Sequence, residues 1–170
     1  MLTIFDLDGT LTEKWGTEVL PGVRQRLSRL DGPVAVATNQ AGVGWHAVEG
    51  DPYPRPAEVG RRLVRVAEAL PVLEGALWLV AIGTEDVSLT RGRWRALAAA
   101  VTRAAAPLWV RTSSDLTWRK PNPGMLLEAC RTFEVAPADT VFVGDLKSDA
   151  AAAAAAGVSF VHADRYFDRA

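Results

Sequence analysis

The sequence offers a single cysteine, Cys130. One thiol excludes an internal disulfide and a cysteine-built zinc site. Long hydrophobic runs are missing too: no apolar stretch approaches the roughly 18 residues that cross a bilayer. The opening residues, MLTIFDLDGT, lack a basic flank and a small-residue cleavage pattern. They do not read as a secretory signal, so the expected compartment is the cytoplasm. Nor is there an excess of charge. The 19 Lys plus Arg against 20 Asp plus Glu leave a net charge of -1, which gives no general attraction to nucleic acid or to an anionic membrane. What is present is material for a core. Hydrophobic residues make up 49% of the 170, which excludes intrinsic disorder and suffices for one domain without staples. No linker, internal repeat or second set of elements interrupts the chain, so residues 1–170 are expected to form one domain.

Charge is distributed unevenly all the same. Residues 84–120 carry Arg91, Arg93, Arg95, Arg103, Arg111, Arg119 and Lys120 against only Glu85, Asp86 and Asp115. Such a segment reads either as a solvated helix face or as a rim that attracts an anionic substrate.

Strand-like and helix-like stretches alternate. Leu2–Leu7, Pro33–Thr38, Ala76–Ile82, Thr140–Gly144 and Val158–His162 are short apolar runs of the kind that form buried strands. Leu108–Arg111 is a candidate for a short extra strand. Helical spacing marks Pro21–Leu30 and Ala57–Leu70, the latter through Val59, Leu63, Val66 and Leu70. The Ala-rich stretch Arg93–Ala106 should be a helix stopped by Pro107. Asn122 can cap a helix that begins at Pro123 and runs to about Phe133. Ser148–Ala156, ended by Gly157, is another helix. The Gly- and Pro-rich stretch from Gly42 to Pro56 reads as a loop. Alternation of this kind predicts an α/β fold with a mostly parallel sheet of five strands, because parallel neighbours need a crossover.

In such sheets ligands bind beyond the carboxyl ends of the strands. Those ends carry Asp6 and Asp8, then Thr38 and Asn39, then Asp145. Two carboxylates as close as Asp6 and Asp8 repel unless a cation lies between them, and an all-oxygen set suits magnesium. Asp149 follows Asp145 by four residues, on the same face of the turn into a helix. Lys120, between Arg119 and Pro121 and just ahead of a helix, can neutralise a phosphate or carboxylate. Thr38 can donate its hydroxyl to the same anion.

These strings, Phe5-Asp6-Leu7-Asp8-Gly9-Thr10-Leu11-Thr12, Thr38-Asn39-Gln40, Lys120-Pro121 and Gly144-Asp145-x-x-x-Asp149, together resemble the four motifs of the haloacid dehalogenase (HAD) superfamily, in order and across essentially the whole chain. The resemblance implies a HAD-like, Rossmann-type core and magnesium-dependent phosphoryl transfer through an aspartyl phosphate. It assigns Asp6 as nucleophile and metal ligand. Asp8 becomes the general acid and then the base for water, with its backbone carbonyl on the metal. Thr38, with the backbone near Asn39, would hold the phosphate oxygens, and Lys120 would neutralise the charge of Asp6 and the phosphate. Asp145 would bind the metal; Asp149 would support the metal or Lys120 from behind, with Thr10 also behind the site. The second acid argues against dehalogenation, since the superfamily's dehalogenases resemble this motif without it.

The spacing bears on substrate. About thirty residues separate Asp8 from Thr38, too few for an inserted helical cap, and the stretch from Thr38 to Lys120 leaves little for a second one. The strings around Thr38 and Lys120 resemble the capless subgroup, which includes heptose-bisphosphate, histidinol and polynucleotide 3′-phosphatases. The first two usually carry a Cys/His zinc loop, and residues 84–118 contain neither residue type. A phosphorylated small molecule is the expected substrate, with a nucleic acid end as the alternative. No kinase P-loop is present, and no membrane partner is expected. Trp15, Trp45 and Trp118, beside the motifs, are expected at the mouth of the site. There they would either stack on a substrate or pack as a lid. Arg91, Arg93 and Arg119 are expected to meet a second phosphate or a nucleic acid backbone.

Overall fold

The computed structural model describes residues 1–169. Six strands, β1 (Leu2–Phe5), β2 (Val34–Asn39), β3 (Leu77–Ala81), β4 (Trp109–Ser113), β5 (Thr140–Gly144) and β6 (Ser159–His162), form one sheet in the order β4-β3-β2-β1-β5-β6. Every pair is parallel. The expected sheet of five strands is thus one strand short. The additional strand is β4, at the edge, where Trp78 pairs with Val110. It answers to the short extra strand marked at Leu108–Arg111, and runs on to Ser113; only Val110 of its residues is buried, so its apolar signal is weak and short.

Among the described residues, seven α-helices flank the sheet: α1 (Val23–Leu27), α2 (Gly42–Glu49), α3 (Pro56–Ala69), α4 (Arg91–Ala104), α5 (Gly124–Phe133), α6 (Lys147–Ala156) and α7 (Ala163–Tyr166). Side chains leave a strand alternately on opposite faces, and two cores result. Phe5, Val36, Trp78 and Val80 pack with α1, α3, α4 and Phe167 on one side. Leu2, Ile4, Ala35, Leu79 and Phe142 pack with α5 and α6 on the other. Ala152, Ala153 and Ala156 bring α6 against the sheet, and Gly157 ends it in a left-handed turn. Cys130 is buried in this second core.

Three local expectations need correction. The Gly42–Pro56 stretch is not all loop: Gly42–Glu49 is helical despite two glycines. A Cβ on Gly44 would lie 2.6 Å from Trp94 Cη2, so the tight packing of α2 on α4 selects glycine and overrides its low helix propensity. Asn122 does not cap α5; its Nδ2 donates to the Leu116 carbonyl at 2.9 Å, and the helix begins two residues later at Gly124. Helix α1 is shorter than Pro21–Leu30, because Gly22 at φ 77 interrupts the backbone before it.

The order of strands positions the site. From β1 the chain builds outward through β2, β3 and β4, then returns to place β5 on the other side of β1. Crossovers therefore leave in opposite directions from β1 and β5, and their carboxyl ends open a crevice between them. Asp6 follows β1 and Asp145 follows β5. Asp8 to Thr38 holds only α1, and Thr38 to Lys120 holds α2, α3, β3, α4 and β4, with no inserted cap. Among the described residues, no helix is long and apolar enough to cross a membrane.

Candidate active site

Asp6, Lys120 and Asp149 converge from three elements. Lys120 Nζ lies 2.5 Å from Asp6 Oδ1 and 2.7 Å from Asp149 Oδ1, and it donates to the Ala37 carbonyl at 3.0 Å. Asp6 and Lys120 are each 5% exposed and Asp149 is 0% exposed. Burial pushes the Asp6 carboxyl up to about 7; Lys120 pulls it down and Asp149 pushes it up. Burial also works against the charge on Lys120, but Asp6 and Asp149 together outweigh it and raise its pKa. The lysine therefore stays cationic inside the protein.

One carboxylate oxygen from each of Asp6, Asp145 and Asp149 lies within 4.8 Å of the others. Three carboxylates against one lysine leave a formal charge of -2 when all are ionised, and the donor set is oxygen alone. That combination fits a hard divalent cation. Burial, and then Asp149, raise the pKa of Asp145, as expected for acids gathered with too little positive charge. The turn is shaped for this approach. Gly9, at φ 84, is in the left-handed region, and a Cβ there would collide with Asp145 Oδ2. Thr10 Oγ1 donates to Asp145 Oδ1 at 3.4 Å.

The Asp8 carboxylate stands apart from this group and faces other donors. Arg62 on α3 pairs with its Oδ1 at 2.6 Å, Gln40 Nε2 donates to Oδ2 at 2.9 Å, and the Trp15 backbone N–H donates to Oδ1 at 2.8 Å. The repulsion expected between Asp6 and Asp8 is thus relieved by two separate cations, Lys120 and Arg62. Thr38 is buried, with its hydroxyl accepting from Gln40 at 2.8 Å. The Asn39 side chain is committed to the backbone of Lys120, through Nδ2 to the carbonyl at 3.0 Å and Oδ1 to the N–H at 3.1 Å. It fixes the loop that carries the lysine. A pocket of about 300 Å³ opens over these groups, lined by Asp6, Asp8, Thr38, Asn39, Lys120 and Asp149, among others.

The tryptophans divide. Trp15, 65% exposed, lines this pocket. Trp45 lines a neighbouring cleft. Trp118 instead packs partly buried against the α5–α6 core and lines neither, so its expected place at the mouth is not met. Arg91, Arg93 and Arg119 line neither space as well. Arg93 donates to the Ala47 carbonyl at 2.9 Å.

Arg62 is the residue the sequence reading overlooked. It lies three residues after Val59 and four before Val66, on the buried face of an amphipathic helix. A charge within an apolar stripe was the available signal, because a buried arginine requires a partner. Arg169 was unmarked: its guanidinium donates to the carbonyls of Thr10 at 2.6 Å and Pro21 at 3.0 Å, tying the turn after β1 from behind.

The strand order and the crevice define the fold as HAD-like and Rossmann-type. Comparison with known proteins agrees. Residues 117–163 match the HAD-hydrolase-like family. A stretch of 46 residues is 48% identical to phosphoglycolate phosphatase of Nitrosospira multiformis, and it takes in 27% of this chain but only 20% of that protein. A HAD-like phosphatase of Mesorhizobium loti superposes over 92% of this chain and 68% of its own, with TM-score 0.63 and 24% identity. D,D-heptose 1,7-bisphosphate phosphatase of B. bronchiseptica, solved with magnesium and phosphate, superposes over 94% and 78%, with TM-score 0.56 and 24% identity.

Proposed function

We propose that the protein is a divalent-cation-dependent phosphomonoester hydrolase that works through an aspartyl phosphate on a small phosphorylated molecule. The observation that carries this is the buried Asp6–Lys120–Asp149 cluster at the switch point of the sheet, with Asp8 held beside it. Asp6 and Asp145, along with the Asp8 carbonyl that the resemblance to the family adds, would hold magnesium; Asp149, paired with Lys120 and accepting from the Leu146 N–H, stands close behind them. The cation would supply charge neutralisation at the transferring phosphoryl group.

The chain's own groups divide the reaction. An Asp6 oxygen attacks phosphorus, and the bond to the leaving oxygen breaks. Lys120 offsets the repulsion between two anions that would otherwise forbid the approach. Asp8 gives a proton to the leaving oxygen, and in the second half takes one from the water that attacks the phosphoryl–Asp6 adduct. Asp8 must carry a proton when it serves as the acid; Arg62, Gln40 and the Trp15 N–H hold the carboxylate that remains, placed to take a proton back from water. Thr38 and the backbone beside Asn39 receive the phosphate oxygens, with Asn39 holding the Lys120 loop.

The test is a magnesium-supplemented screen of sugar phosphates, nucleotides and 3′-phosphorylated oligonucleotides, run with and without chelator. Hydrolysis of a small ester that stops on chelation supports the proposal; full activity after exhaustive chelation refutes it. The oligonucleotide arm addresses the polynucleotide alternative. The charge argument for that alternative has weakened, because Lys120 is buried, Arg111 pairs with Glu128 and Arg93 is spent on a carbonyl. If that alternative holds, binding should weaken steeply with salt.

A further inference from the structure

Beside the catalytic pocket lies a second, larger cleft of about 820 Å³, bounded by the α2–α3 connection and the turn after β1. Trp15 lines both spaces. Gln40 and Arg62, the side chains that hold Asp8, also line the cleft. Asp8 therefore stands at the seam, with the phosphoryl site on one side and the cleft on the other. That is where the oxygen leaving phosphorus must be protonated. Resting on the phosphatase reading above, we propose that this cleft receives the alcohol half of the substrate, and that the group it takes is an uncharged planar ring.

The lining selects for that chemistry. Trp45 and Tyr53 stack on each other with centroids 5.8 Å apart and planes 23° from parallel, a flat wall flanked by Pro52 and Pro54. Prolines have no N–H to offer. The buried Arg62 is already satisfied by Asp8, by the Gly16 carbonyl at 2.8 Å and by Thr12 Oγ1 at 3.3 Å. Polar side chains of the lining that a polyol could use, Thr17, Glu58 and Arg65, stand apart from the Trp45–Tyr53–proline wall, so hydroxyls laid on that wall lose water without gaining a side-chain partner there, which costs affinity. Flat apolar faces instead reward a ring that stacks. Glu58 and Arg65 both line the cleft and oppose each other in charge, which removes any preference for an ionised ring. Trp15 adds a further sign. Its backbone sits at φ 60, a conformation unusual for a bulky residue, while its N–H is bonded to Asp8. Such outliers concentrate at functional sites. The bond ties the placement of the exposed indole to the general acid.

The experiment compares ethyl, 2-cyclohexylethyl and 2-phenylethyl phosphate, whose leaving alcohols have similar basicity, with magnesium present. The phenyl ester is expected to exceed the ethyl ester in kcat/KM by about tenfold, the size of one stacked ring, with the cyclohexyl ester between them. Trp45→Ala is expected to bring the phenyl-to-ethyl ratio close to one, and Trp45→Phe to keep most of it. Because the readout is a ratio within each variant, general damage to the fold cancels. A ratio near one in the unmodified protein, or one that survives Trp45→Ala, overturns the proposal. A cyclohexyl ester as good as the phenyl ester overturns the planar part. If none of these esters nor acetyl phosphate is hydrolysed, the phosphatase reading fails instead. Calorimetric titration with the phenyl and ethyl esters then reads the cleft alone, and equal binding overturns it.

Discussion

Lys120 answers two carboxylates directly, Asp6 and Asp149, while Asp145 completes a cluster that one lysine cannot neutralise. The balance can be tested one residue at a time. Asp6→Asn is expected to abolish turnover with the circular dichroism spectrum unchanged, since an amide keeps the volume but cannot attack phosphorus. The same variant should be more stable than the parent above pH 7, by on the order of 5 °C in a thermal melt without metal. It removes a buried carboxyl that resists ionisation. Asp8→Asn should cost about 10²–10⁴-fold in kcat, the range of lost acid–base catalysis. Arg62→Lys keeps the charge but loses the fork that spans Asp8, Gly16 and Thr12. Its kcat should fall about tenfold or more on alkyl phosphates and much less on 4-nitrophenyl phosphate, whose leaving group needs no proton. An equal loss on both would mean that Arg62 acts on the fold rather than through Asp8.

At the scale of elements, α3 carries Arg62 to Asp8 because α3 lies close against α4. Gly60 makes this possible: a Cβ there would stand 2.5 Å from the Val101 carbonyl oxygen and 2.7 Å from Ala104 Cβ. Gly60→Ala should destabilise by about 1–3 kcal/mol through overpacking. It should also lower kcat, because the helix that moves is the one bearing Arg62. Urea melts and steady-state kinetics on one preparation separate the two effects. Most helices were visible in the sequence because their apolar spacing is strong, as in Val59, Leu63 and Val66 of α3. Helix α2 was hidden behind glycines that local propensity reads as loop, and their reason lies in Trp94 and Pro54, distant in the chain. The cap of α5 was misplaced because Asn122 found a better acceptor in the Leu116 carbonyl. Helix α7 is a single turn and has too few residues to show a period.

For the whole molecule, gathering carboxylates at one crevice makes stability depend on pH and on cations together. The Asp6 pKa is raised to about 7, and that of Asp145 is raised too. A raised folded pKa means stability that is full below the ordinary carboxylate range and lost as pH rises through about 7. The metal-free protein should therefore melt lower at pH 8 than at pH 5 as far as these groups decide. Magnesium should raise the melting temperature more at pH 8, where the ligands are ionised. A magnesium shift that is equal at both values would contradict the carboxylate site. The sequence by itself determined the α/β class and five strands, marked the sixth as a candidate at Leu108–Arg111, and singled out Asp6, Asp8, Thr38, Lys120, Asp145 and Asp149 as the motif residues. Each of these lies at a strand end, in a loop or, for Asp149, in the first turn of α6, beside a local pattern of apolar runs and turns, and such patterns are short-range. The family resemblance had already set Lys120 against Asp6; the tertiary structure alone decided that Lys120 also meets Asp149 and that Arg62 answers Asp8. Lys120 meets Asp6 across 114 positions of chain, and Arg62 meets Asp8 across 54. Pairings at such separations follow from strand order and helix packing, which no local pattern of residues encodes.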